Sequence, residues 1–154
     1  MEDICVSQGY TTRTATVSYD KTLKIFDFGS NKTVESLTET SPLISLDWCL
    51  SDTNYLVYGS EGGDWVLKDT RKLAGDVRRE SVGKNVPVRK VGFSPQEGPD
   101  VLAVGADNIY FFRVLGPEQQ GQLQPFFIHR HPSYRVVDFC WSLARPYLLV
   151  SAGE

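Results

Sequence analysis

The chain has 154 residues, 41% of them hydrophobic and 23% charged, which is the balance of an ordinary globular domain long enough to bury a core. Sixteen basic residues are scattered among nineteen acidic ones for a formal net charge of −3; the longest basic clusters are the pairs Arg78-Arg79 and Arg89-Lys90, so a dedicated nucleic-acid surface is not expected. No apolar stretch approaches the roughly 18 residues of a membrane span, and the opening Met1-Glu2-Asp3-Ile4-Cys5-Val6 lacks the positive start and long apolar run of a secretory signal.

In chain order, Ser18-Tyr19-Asp20-Lys21 reads as a tight turn into a strand over 22–28, followed by a polar strand over 32–38. Residues 1–38 thus supply the later strands of one unit. A whole unit follows over 42–83. Leu43-Ile44-Ser45-Leu46-Asp47-Trp48 leads to Tyr55-Leu56-Val57-Tyr58-Gly59-Ser60. The turn Glu61-Gly62-Gly63-Asp64 then opens a third strand at Trp65-Val66-Leu67-Lys68-Asp69, and a polar strand spans 76–82. Leu73 and Val77, four apart, offer a competing helix over 69–82. The phrase recurs over 86–131. Val88-Arg89-Lys90-Val91-Gly92-Phe93-Ser94-Pro95 leads to Val101-Leu102-Ala103-Val104-Gly105-Ala106, then to a third strand over 109–114 and a polar fourth over 123–129. Residues 134–154 give two more strands, Val136-Val137-Asp138-Phe139-Cys140-Trp141-Ser142 and Tyr147-Leu148-Leu149-Val150-Ser151-Ala152-Gly153. Gly, Asp and Asn at the hairpins supply the positive φ that short connections want.

Trp48, Phe93 and Trp141 hold equivalent places, roughly 45 residues apart, a spacing typical of propeller blades. The second strands are apolar on both faces, as Leu102-Ala103-Val104 and Leu148-Leu149-Val150 show. A sandwich strand with one wet face would alternate. Blades bury both faces against their neighbours, so the expected fold is all-β: WD-type β-propeller blades, about three of them, in segments 1–38, 42–83, 86–131 and 134–154. A propeller closes with four blades or more, so the expected propeller is incomplete.

Little in the sequence promises chemistry. His129-Arg130-His131 places two histidines on one side of a strand, but no Cys or carboxylate joins them at metal-ligand spacing. Ser81-Val82-Gly83-Lys84 is not a phosphate-cradling loop, and Gly59-Ser60-Glu61-Gly62-Gly63-Asp64 falls where a hairpin must turn. Asp20, Asp64 and Asp107 sit at hairpins, where an aspartate ties the turn. Cys5, Cys49 and Cys140 have no zinc spacing; the last two flank tryptophans in apolar runs and read as small core residues in a reducing compartment, cytosol or nucleus. No enzyme, no cofactor, no metal and no small-molecule substrate are expected. Trp48, Phe93 and Trp141 are the expected blade core. Trp65, beside a Gly-Gly turn, is expected to be partly exposed, and with Phe126 and Phe127 it is a candidate protein contact.

The repeats depart from the Trp-Asp pattern, with Phe26-Asp27, Lys68-Asp69 and Arg113-Val114 at the ends of third strands and no Gly-His pair. Pro42-Leu43-Ile44-Ser45-Leu46-Asp47-Trp48-Cys49-Leu50, then Thr53, Gly63-Asp64-Trp65 and Asp69, resembles the late blades of the nucleoporin 37 family. A looser likeness runs through Gln124-Pro125 and Ser142-Leu143-Ala144-Arg145-Pro146-Tyr147. The resemblance covers the C-terminal half of that family. It implies a non-catalytic WD-repeat scaffold of the nuclear pore Y-complex, clamped to the helical solenoid nucleoporin 160 beside other Y-complex subunits. It further implies a place at the nuclear envelope, and at kinetochores in mitosis, and a role in pore assembly, protein transport and mRNA export. Phe126-Phe127-Ile128-His129 with Val137-Asp138-Phe139-Cys140-Trp141 is similar instead to histone-binding WD-repeat chaperones, whose long acidic insertion is replaced here by the short Gly116-Pro117-Glu118-Gln119-Gln120-Gly121. A coat-complex propeller is a third possibility.

Overall fold

The computed structural model describes residues 3–6, 12–96, 98–115, 121–130, 135–145 and 147–154. Among them every regular element is a strand. Three four-stranded antiparallel sheets follow one another along the chain, each a simple meander. The first contains β1 (Asp3–Val6), β2 (Arg13–Val17), β3 (Thr22–Asp27) and β4 (Lys32–Thr38). The second contains β5 (Leu43–Trp48), β6 (Tyr55–Ser60), β7 (Asp64–Asp69) and β8 (Asp76–Ser81). The third contains β9 (Lys90–Ser94), β10 (Gly98–Gly105), β11 (Ile109–Arg113) and β12 (Phe127–His129). A fourth sheet has two strands, β13 (Val136–Trp141) and β14 (Leu149–Gly153).

Several expectations are corrected. Residues 1–38 give a full four-stranded sheet and not only later strands, because Asp3–Val6 pairs with β2. That strand is four residues long and lacks the terminal aromatic that marks the other first strands. The helix over 69–82 does not form. Backbone bonds from Lys72 N to Asp69 O (2.9 Å) and from Gly75 N to Lys72 O (3.1 Å) fold two tight turns, and β8 pairs with β7. β14 begins at Leu149 and not at Tyr147, whose φ of 59° puts it in a turn. β12 begins at Phe127 and not at 123. In the first hairpin the positive φ falls on Lys21 (70°) and not on Gly, Asp or Asn.

The sheets pack face to face in sequence order. Ala15, Val17, Leu23 and Ile25 of the first meet Leu43, Leu46, Leu56, Tyr58 and Val66 of the second in one core. On the other face of the second sheet, Val57, Trp65 and Leu67 meet Val91, Leu102, Val104 and Phe112 of the third. Ala103 and Ile109, on the far face of the third, meet Val136 and Phe139 of the fourth. Alternation along a strand sends neighbours to opposite faces, and in the second and third sheets both faces are apolar because both are covered.

The same backbone bond joins each sheet to the next. The end of a second strand accepts from the start of the following first strand: Leu43 N to Ser18 O (3.2 Å), Val88 N to Ser60 O (3.0 Å) and Val136 N to Ala106 O (2.8 Å). Leu43, Val88 and Val136 are each fully buried. At this joint the backbones approach closely. A Cβ added at Gly59 would lie 2.4 Å from Val88 Cγ1, 2.6 Å from Ser45 Oγ and 2.8 Å from Val88 O. One of those neighbours is backbone and cannot swing aside. Gly59→Ala is therefore expected to destabilise the protein by about 1–3 kcal/mol, the usual penalty for overpacking. Urea denaturation of the two proteins measures it, and an unchanged midpoint would show that the joint is slack.

Candidate protein interface

The three aromatics expected in the core differ in depth. Trp48 and Phe93 are buried, and Trp48 Nε1 donates to Thr53 O at 2.7 Å. Trp141 is half-buried, its Nε1 donating to Gly92 O at 3.2 Å across the joint between the third and fourth sheets.

Trp65 is a correction. It was expected to be partly exposed as a contact residue, yet it is 0% exposed and packs on Phe112 at 5.0 Å between ring centroids. The preceding Gly63, with φ of 104°, turns the chain so that β7 runs between β6 and β8, and alternation then aims position 65 at the third sheet. Its Nε1 finds no hydrogen-bond partner among the described residues. Cys49 is buried, whereas Cys140, also expected in the core, is exposed. In β13 it is Phe139 that points into the third core, so its neighbour Cys140 points out. The side chain of Cys5 lies outside the described residues, as does His131.

Phe126 and Phe127 are 56% and 55% exposed. They lie on the face of the third sheet that looks toward the fourth. Phe111 centres the group, with ring centroids 6.4 Å from Phe126, 5.5 Å from Phe127 and 5.8 Å from Trp141 in an edge-to-face contact. The Arg113 guanidinium sits 5.6 Å from the Phe126 centroid, in the range of a cation–π contact. β13 and β14 cover the inner strands of this face. Its outer part carries Phe111, Phe126 and Phe127 as an aromatic shelf.

The other sequence candidates are structural. The 59–64 segment is a hairpin turn, closed by Gly63 N to Ser60 O (3.3 Å) and Asp64 N to Ser60 Oγ (3.1 Å). Gly83 lies in a turn, with Val86 N donating to its carbonyl at 3.2 Å. Asp20 ties its hairpin through Thr22 N (3.0 Å) and Thr22 Oγ1 (2.6 Å), and Asp107 through Asn108 N (2.9 Å). Asp64 lies 4.0 Å from Arg79 Nη1. Among the described residues, no three His, Cys, Asp or Glu side chains gather as metal ligands.

Two polar arrangements escaped the sequence reading. Aspartates bridge consecutive first strands. Asp3 accepts from Ile4 N (2.8 Å) and Leu46 N (3.0 Å), and Asp47 accepts from Trp48 N (2.9 Å) and Phe93 N (2.8 Å). A first strand has no neighbour on its inner edge, so the carboxylate satisfies amides that would otherwise be orphaned. The signal was the aspartate just before Trp48. Burial raises the Asp47 carboxyl to about 6, against the pull of the two backbone amides and Lys90.

The second arrangement joins the first and second sheets. Lys68, buried, pairs with Asp76 at 2.5 Å and donates to Leu73 O at 3.0 Å. Arg79 pairs with Asp76 (2.7 Å) and Glu39 (2.8 Å), and Tyr58 donates to Glu39. Burial pushes the Glu39 carboxyl up, but Arg79 and Tyr58 together hold it below its ordinary value; Asp76 is held low in the same way by Lys68 and Arg79. A closed set of pairs of this kind fixes geometry and leaves no group poised to move a proton.

No protein-family model matches the chain, and no curated protein matches it.

Two measurements follow. Trp65→Ala is expected to cost about 3–5 kcal/mol, the range for emptying a buried tryptophan site. Trp65→Phe should cost less, because it removes an indole N–H that has no partner. A fold as stable as the parent after Trp65→Ala would mean the ring is on the surface. For Asp47 the folded pKa lies above the unfolded one, so the native state holds the proton more tightly. Its contribution therefore falls as pH rises from about 4 through about 6. Asp47→Asn cannot lose a proton, so its stability relative to the parent should rise across that interval. Denaturation of both proteins at pH 4.5 and 7.5 reads the difference; a variant-minus-parent stability that stays constant or falls toward pH 7.5 would contradict it.

Proposed function

We propose that this chain is a run of β-propeller blades working as a non-catalytic binding scaffold, of the kind found in the nucleoporin 37 family. The observation that carries the blade reading is the repeated joint: three meander sheets, each linked to the next by the same buried backbone bond from Leu43, Val88 or Val136. Sheets linked from second strand to following first strand, at their inner ends, fan out around a common axis, which is how propeller blades are arranged.

The scaffold reading is supported by what the polar side chains do. The partly buried carboxylates of Asp3 and Asp47 are spent on backbone amides, and the buried Lys68 on an ion pair within the second sheet. The surface that remains for a partner is aromatic, and aromatic anchors dominate protein contacts when they are buried at the centre of an interface. Phe126 and Phe127 are the proposed contact residues.

The nucleoporin reading rests on the Trp48-Cys49-Leu50 and Gly63-Asp64-Trp65 resemblance. On it, the protein binds the helical solenoid of the Y-complex, nucleoporin 160, and sits in the outer ring of the pore, where it supports pore assembly, nucleocytoplasmic transport and mRNA export. A fluorescent tag on the full-length protein in living cells tests it. Nuclear-rim staining in interphase, with Y-complex subunits co-purifying, is the expected result. Diffuse chromatin staining with histone H4 as chief partner would replace the nucleoporin reading with that of a histone chaperone.

A further inference from the structure

The basic pair Arg78-Arg79 and the segment that begins at Ser81 adjoin in the sequence, and neither has a part in the apolar cores. Arg78-Arg79-Glu80-Ser81-Val82 sets two guanidiniums three and two residues before a serine and an apolar side chain just after it. Serine kinases that favour basic substrates select by this order of charges. Carboxylates in such a kinase hold the guanidiniums by paired bonds, and an apolar pocket takes the following residue.

We propose that Ser81 is a phosphorylation site for a kinase of this class, with ATP as donor, and that the phosphate loosens the joint between the first and second sheets. In the transfer the Ser81 hydroxyl oxygen bonds to the γ-phosphorus as the bond from that phosphorus to the β,γ-bridging oxygen breaks. ADP leaves with the electron pair, and the hydroxyl proton passes to an aspartate of the kinase and then to water.

The fold presents the segment on its weakest strand. β8 is the outermost strand of the second sheet and pairs with β7 alone among the described residues. None of its six side chains is fully buried, and Ser81 is exposed. A strand that buries so little opens locally far more often than the whole protein unfolds. Opening is required, because Ser81 Oγ donates to Gly63 O (3.3 Å), Val82 is half-buried and Arg78 Nη1 donates to Gly121 O (3.2 Å). The ion pair of Arg78 with Glu80 (2.9 Å) lies within the strand and travels with it.

The consequence follows from what surrounds the new group. Arg79 and Ser81 are two residues apart, so their side chains stand on the same face of β8. Arg79 is the cation that ties this sheet to Glu39 of the first, at 2.8 Å. Asp64 lies opposite Ser81 in the ladder and 4.0 Å from Arg79 Nη1. Glu39, Asp64 and Asp76 already outnumber Arg79 and Lys68 here. A phosphate adds about two negative charges. It repels Asp64, since like charges placed opposite in a sheet destabilise the pairing, and it draws Arg79 away from Glu39.

The test treats the full chain with ATP and the catalytic subunit of cyclic-AMP-dependent protein kinase, with a peptide of residues 76–84 as the reference substrate. The expected result is a single phosphate on Ser81, located by mass spectrometry, added more slowly than to the peptide because the strand must open. Ser81→Ala should take up none. Arg78→Gln should slow the transfer about tenfold, whereas a purely structural role for Arg78 would speed it by loosening β8. Glu80→Gln, which frees Arg78 without removing it, should not slow it. Hydrogen exchange of the phosphorylated chain should be about tenfold faster over Asp76–Ser81 and at the Leu43 amide of the joint, and unchanged over Ile109–Arg113. A native chain that takes up no phosphate while the peptide does, phosphate on another residue, or unchanged exchange at Leu43 overturns the proposal.

Discussion

The second sheet presents Leu56 and Tyr58 to one neighbour and Val57, Trp65 and Leu67 to the other, so it requires a sheet on each side. Everything else in the architecture follows from that two-sided burial. A four-stranded meander cannot cover its own faces, and the next one along the chain is the nearest surface available. Stacking in sequence order results, with short connections and no crossing. Fully burying a side chain such as Leu56 on one face or Leu67 on the other stabilises by roughly 1.5–3 kcal/mol, and the two gains together exist only while both neighbours stay in place. The sheets are therefore cooperative units of one stack and not independent modules.

Face-to-face packing leaves the innermost strands with one unpaired edge. In a soluble sheet such an edge invites other chains. Here Asp3 and Asp47 reach forward to the amides of Leu46 and Phe93, binding each inner strand to its successor without a ladder between them. The price is a half-buried carboxylate at Asp47, whose charge is opposed by burial and favoured by its amides and Lys90. Asp138, the aspartate of β13, accepts from Phe139 N at 2.8 Å and lies 3.6 Å from Lys90 Nζ while remaining exposed.

Much of this was legible in the sequence. The repeated phrases begin at Leu43, Val88 and Val136, and those residues make the joints between sheets, because a buried, amide-donating position tolerates only an apolar residue. The both-sided apolar run Leu102-Ala103-Val104 announced the stacking, whereas Leu148 and Val150, read in the same way, are exposed. The first strand was missed because four residues without a terminal aromatic carry no period to read. Trp65 and Cys140 were misplaced for a different reason. Sequence shows that strand neighbours face opposite ways, but not which face has a neighbour. Glycines beside Trp65 suggested openness, whereas they permit a close backbone approach. Lys68 looked like a departure from an aromatic position, and in the fold it reaches Asp76 from within the core.

Phe111 and Phe112 make the same point within one strand. They are adjacent and chemically identical, and alternation sends them to opposite faces of the third sheet. Phe112 is buried, because Trp65 on the facing strand of the second sheet covers it. Phe111 is half-buried, at the margin of the core of Val136 and Phe139 and beside the half-buried Trp141 and the exposed Phe126 and Phe127. Chemistry, strand and local backbone are shared, so the difference between them measures the covering alone.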